Sequence, residues 1–102
     1  MDGANIPLLG LGIHPGEVLK EDFMVPLSLS ASALAARLRT TPASISRIVN
    51  AKQAISAEMA CRLARALGTT PAFWLSLQSQ YDIAVLGDRV SQIEREVEPL
   101  NG

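Results

Sequence analysis

Within one short stretch, Arg47 and Asn50 carry hydrogen-bonding side chains that suit base edges, and Ala43, Ser44 and Ser46 beside them are small. An arginine guanidinium donates two parallel hydrogen bonds, the pattern that a guanine edge accepts in the major groove, while an asparagine amide pairs with adenine or meets a phosphate. The three small residues permit the close approach that such contacts need. Around them, Arg37 and Arg39 before the stretch, Thr41 at its start and Lys52 just past its end are placed to meet a phosphate backbone.

These groups work only if a helix presents them on one side. At about 100° per residue, Ile45, Ile48 and Val49 cluster on one face of a helix from Pro42 to Asn50, and Ala43, Ser46, Arg47 and Asn50 point the other way. The preceding segment, Ala31 to about Arg39, places Leu34, Ala35 and Leu38 on a stripe of its own. Two short helices with one apolar stripe each, joined by Arg39, Thr40 and Thr41, form the pattern of a helix-turn-helix, whose second helix enters the major groove.

Helix starts are marked by chemistry that repeats along the chain. His14-Pro15, Thr41-Pro42 and Thr70-Pro71 each pair a polar N-cap with proline at the first helical position, where its missing N–H costs nothing. Ser30 and Ser56 supply two further caps. Five helices are therefore expected. The first runs from Pro15 to about Val25, buries Leu19 and Phe23, and stops because the residue before Pro26 avoids the α region. The fourth, Ala57 to Leu67, buries Ala60, Leu63, Ala64 and Leu67 and closes at Gly68. The fifth starts at Pro71, aligns Trp74, Leu77 and Tyr81, and continues through Leu86 until Gly87. Val90, Ile93 and Val97 extend it or form a separate short helix.

The chain of 102 residues is 48 % hydrophobic and only 4 % aromatic, which suits one all-α domain with a modest core. The expected division is an N-terminal arm over 1–13, the helical domain over 14–86, and an acidic tail or helical extension over 87–102. One cysteine cannot form an internal disulfide, no basic-then-apolar leader is present, and the interrupted apolar run from Ile6 to Ile13 is far too short to cross a membrane. A cytoplasmic protein follows.

The net charge of −1 conceals a segregation. From Ala31 to Ala66, Arg37, Arg39, Arg47, Lys52, Arg62 and Arg65 face a single acid, Glu58. From Tyr81 onward, Asp82, Asp88, Glu94, Glu96 and Glu98 outnumber Arg89 and Arg95. A basic centre suits a polyanion, and an acidic tail reads most simply as solvated surface, with a basic protein partner as the competing reading. A single histidine rules out a histidine-rich metal centre, and His14 is read as a cap. Cys61 is read as a small core or boundary residue of the fourth helix. No nucleophile–base pair, glycine-rich phosphate loop or metal cluster is present, so neither an enzyme, a cofactor nor a small-molecule substrate is expected. Trp74, Leu77 and Tyr81 most simply fill a core, with a dimer interface as their second use.

Taken in order, His14-Pro15-Gly16-Glu17-Val18-Leu19, Leu34-Ala35, Ser44 to Asn50, Leu63 to Thr69, and Phe73-Trp74-Leu75-Ser76-Leu77-Gln78 resemble the HigA and VapI family of Cro/cI-type helix-turn-helix antitoxins. The resemblance runs from about Ile13 to Val85. It implies a five-helix, lambda-repressor-like bundle, a homodimer on a palindromic operator in double-stranded DNA, base contacts from Ala43, Ser44, Ser46, Arg47 and Asn50, and a HigB-like toxin as partner. Two positions depart from the family pattern. Ala31 stands where many Cro/cI relatives carry a DNA-contacting glutamine, and Ala51 where family members usually carry glycine. If position 51 is left-handed, alanine costs roughly 1–2 kcal/mol there.

Overall fold

The computed structural model describes residues 12–101, all of it helix, turn and loop. Positions 1–11 of the expected arm lie outside the described residues. Six helices follow in order: α1 begins at Pro15–Val18 and continues through a wider π-type segment, Leu19–Met24; α2 is Ala31–Leu38, α3 Pro42–Val49, α4 Ala57–Leu67, α5 Pro71–Leu86 and α6 Arg89–Glu96. The first five build the lambda-repressor-like bundle and α6 extends it.

Each of the five expected caps forms. The His14 ring Nδ1 accepts from the Gly16 N–H at 2.9 Å, Ser30 Oγ from Ala33 at 3.0 Å, and Thr41 Oγ1 from Ser44 at 3.1 Å. Ser56 and Thr70 cap α4 and α5 through Met59 and Phe73, both at 3.1 Å. Such caps contribute roughly 1 kcal/mol each by satisfying an otherwise orphaned donor.

Helix α1 differs from expectation in a way that Pro26 explains. Val25 is helical, with φ −63° and ψ −52°, so the proline does not end the helix by driving its neighbour out of the α region. In a regular helix its ring would press on the carbonyl four residues back and its own N–H bond would be missing. The π segment relieves this by bonding one residue further, Val25 N–H to Lys20 O at 2.9 Å. The longer turn also shifts the buried register: Leu19 and then Met24, five residues on, are 0 % and 7 % exposed, and Phe23 is only half-buried.

The core gathers Leu19, Leu34, Ala35, Leu38, Ile45, Ile48, Ile55, Ala60, Leu63 and Trp74 from all five bundle helices and the α3–α4 loop. Trp74 is fully buried, donates from Nε1 to Thr69 Oγ1 at 2.7 Å, and packs against Phe23 and Phe73. Helix α1 crosses α3 at Gly16, where a Cβ would lie 1.8 Å from the Ile48 carbonyl oxygen, so only glycine permits that approach.

Four turns close by the same device. After α1, α2, α3 and α4 the chain takes a left-handed residue, Ser28, Arg39, Ala51 and Gly68. At each, the following N–H bonds back five residues: Leu29 to Met24, Thr40 to Ala35, Lys52 to Arg47 and Thr69 to Ala64, at 2.8–3.2 Å. This is the Schellman closure, which satisfies the last carbonyls of a helix. Only one of the four uses glycine.

Candidate nucleic-acid interface

Helix α3 is anchored by its inner face: Ile45 and Ile48 are 0 % exposed, and Val49 packs half-buried on the same cluster. Its axis is fixed at one end by the Thr41 cap and at the other by the Ala51 closure. The opposite face carries Ala43, Ser46, Arg47 and Asn50, all exposed, with Lys52 exposed just beyond. The structure therefore brings these five positions onto one outward surface.

Ser44 departs from that surface. It is buried, at 8 % exposure, and its hydroxyl accepts from Gln53 Nε2 at 3.3 Å. Its place is beneath the outward face, where it supports a neighbour instead of reaching outward. Gln53, whose part the sequence did not reveal, accepts in turn from Arg47 Nε at 2.8 Å. The partners lie six and nine residues away, a spacing that no helical periodicity marks.

Arg37 and Arg39 are exposed on another part of the surface. With Arg62, Arg65 and Cys61 they line a cavity of about 390 Å³ between the end of α2 and the middle of α4. Arg62 bridges the two helices: it donates to the Leu38 carbonyl at 2.8 Å, capping α2, and pairs with Glu58 at 2.9 Å. Thr41 is exposed, with its hydroxyl committed to the cap.

The three residues aligned on α5 separate. Trp74 is turned wholly into the core, which corrects its assignment to an interface between protomers; Leu77 packs on the same cluster. Tyr81 is half-buried, its ring meeting that of His14 edge-on at 4.8 Å. The large apolar groups that α5 and α6 leave exposed are Phe73, Leu75, Ile83, Val85, Leu86 and Ile93, with Val97 just beyond α6.

A further polar residue ties the α3–α4 loop to the bundle. Gln78 on α5, buried at 7 % exposure, accepts the Ile55 N–H at 2.8 Å and donates to Asp82 at 3.0 Å. Burial lowers the pKa of His14, opposed by the Asp82 charge and by the polar backbone of Gln53. Among the described residues no group of three or more His, Cys, Asp or Glu could hold a metal ion, and no helix is long and apolar enough to cross a membrane.

Comparison with known proteins places this geometry. Residues 20–74 match the helix-turn-helix family model HTH_3. The virulence-associated protein I of Dichelobacter nodosus is 44 % identical over 71 residues, covering 70 % of this chain and 66 % of that protein, so the match spans just under two thirds of the relative. Antitoxin HigA-1 of Vibrio cholerae is 34 % identical, covering 86 % of this chain and 83 % of that protein. The solved structure of the Pseudomonas aeruginosa antitoxin HigA with the higBA promoter superimposes with a TM-score of 0.80 at 41 % identity, covering 87 % of this chain and 98 % of that one. With a fully packed α2–α3 pair, a free outward face on α3 and relatives of this kind, the chain belongs to the helix-turn-helix family, in its HigA- and VapI-like branch.

Proposed function

We propose that the chain is a sequence-specific DNA-binding repressor, the antitoxin of a HigBA-type module, which binds its own operator as a dimer and neutralises a toxin. One observation carries the reading: α3 buries Ile45 and Ile48 completely on one face and offers Ala43, Ser46, Arg47 and Asn50 on the other, with Lys52 beside them. That is the division a groove helix requires, because its inner face must fix the angle at which its outer face meets base edges. Operator complexes support it: PA4674 of Pseudomonas aeruginosa was solved with its operator DNA, and it is 42 % identical to this chain with a TM-score of 0.81.

Two copies related by a two-fold axis would set their α3 helices about 34 Å apart and read an inverted repeat. The exposed apolar groups of α5 and α6 supply the joining surface, Ile83, Leu86 and Ile93 foremost. The protein acts in the cytoplasm and without catalysis, and its second partner is a HigB-like toxin.

The test is a fluorescence-anisotropy titration against the chain's own promoter duplex and a scrambled duplex, at low and physiological salt. Tight, salt-sensitive binding to the promoter alone is expected, and Arg47→Ala should cost roughly 1–3 kcal/mol and relax one base position. Equal, weak binding to both duplexes would refute sequence-specific repression.

A further inference from the structure

Arginine reads a guanine edge with two of its donors, and which two depends on how the guanidinium is presented. The side-on mode uses Nε and one terminal nitrogen; the end-on mode uses both terminal nitrogens. At Arg47 the choice is already made, because Nε donates to Gln53 Oε1 at 2.8 Å. The side-on mode is closed and the end-on mode stays free.

Gln53 is itself anchored. Its Nε2 donates to the buried Ser44 hydroxyl at 3.3 Å. On either side of it, the Lys52 N–H bonds to the Arg47 carbonyl at 2.8 Å and the Ile55 N–H to Gln78 at 2.8 Å. A side chain fixed at both ends is a suitable support for a flexible one. A held arginine loses less rotamer freedom when it binds, and its planar fork favours one orientation of acceptors over others. A loose arginine would find phosphate oxygens as readily as a base, and phosphates carry no sequence information.

We propose that Gln53 is a positioning residue for operator readout, holding the Arg47 guanidinium by Nε so that its terminal nitrogens alone meet the base. This rests on the operator-binding reading above. Ser44 acts in the same chain, one step further back.

The experiment measures the full-length protein and its Arg47→Ala, Gln53→Ala, Arg47→Ala/Gln53→Ala and Gln53→Glu variants against the promoter duplex, the scrambled duplex, and promoter duplexes each carrying one base-pair substitution. Arg47→Ala identifies the base pair that Arg47 reads. Gln53→Ala is expected to weaken promoter binding about 3- to 10-fold and to flatten the preference at that same base pair. Scrambled-duplex affinity should not move, and the thermal midpoint should fall by no more than the loss of the one bond to Ser44. In the double variant Gln53→Ala should add nothing to Arg47→Ala, and Gln53→Glu, which keeps an acceptor for Nε, should restore the preference. An unchanged base preference in Gln53→Ala, or a loss that persists on the Arg47→Ala background, overturns the proposal. A parent protein that binds both duplexes alike overturns operator reading itself. A parent that discriminates but does so equally well without Arg47 overturns only the positioning role.

Discussion

Replacing Ala51 with glycine should stabilise the protein, although it removes a methyl group and adds backbone freedom. Ala51 sits at φ +60°, where a Cβ crowds the following carbonyl oxygen, at a cost of about 1–2 kcal/mol. Glycine has no such penalty, but its unfolded chain is freer, which subtracts about 0.4–1 kcal/mol. The residue is exposed, so no packing is lost. Both bonds of the closure, Ala51 N–H to Ile48 O at 3.0 Å and Lys52 N–H to Arg47 O at 2.8 Å, involve the backbone alone and survive the change. The net gain is about 0.5–1 kcal/mol, which in a domain of this size raises the melting midpoint by about 2–8 °C. Thermal and urea unfolding followed by circular dichroism, at one fixed protein concentration to hold any association constant, reads the effect. The mirror substitution, Gly68→Ala at φ +75°, should lower the midpoint by a similar amount. An Ala51→Gly midpoint equal to or below that of the parent would refute the strain argument.

Gly16→Ala should be far more damaging than an ordinary helix substitution: the new Cβ would meet the Ile48 carbonyl, so α1 must lift from α3, and we expect a loss of about 3 kcal/mol or more in urea unfolding, with reduced promoter binding. Stability should also fall with acidification through His14. Its folded pKa is lowered from 6.5 by burial, so the unfolded chain binds the proton more readily; the stabilisation is complete above pH 6.5 and is lost as pH drops through the folded value. Protonation also converts Nδ1 from the acceptor of the Gly16 N–H into a donor. His14→Ser, which retains a cap, should flatten the dependence of the urea midpoint between about pH 7 and pH 5; an unchanged slope would assign the acid sensitivity to other groups.

What could be read from the sequence was local. A polar residue followed by proline, or a serine just before an apolar stripe, states a cap within two residues, and all five caps, the ends of α4 and α5 and the stripes of α2 and α3 followed from such local signals. The helix-turn-helix and the exposure of Ala43, Ser46, Arg47 and Asn50 came from the same periodicity. The left-handed closures at Ser28 and Arg39 were hidden because glycine is the usual marker of that conformation and neither is glycine. Ala51 was noticed only because relatives carry glycine there. Met24 was hidden because the π segment advances the buried register by one residue. Gln53 and Gln78 were hidden for a different reason: their partners come from other elements, and only the folded chain brings them within hydrogen-bond reach. Ser44 has its small size in common with Ala43 and Ser46, but its angle on the helix turns it under the face they form.

The hydrogen bond from the Ile55 amide to Gln78 gives a segment without regular structure the kinetics of a core. An amide held by a buried side chain of another helix exchanges with solvent only when that helix detaches, so Ile55 should be protected like the centre of α4 and unlike an ordinary loop. The ordering of the loop that follows α3 is therefore completed during folding. A DNA duplex arriving at that surface would meet a contact edge already set, with little backbone entropy left to surrender at the moment of binding.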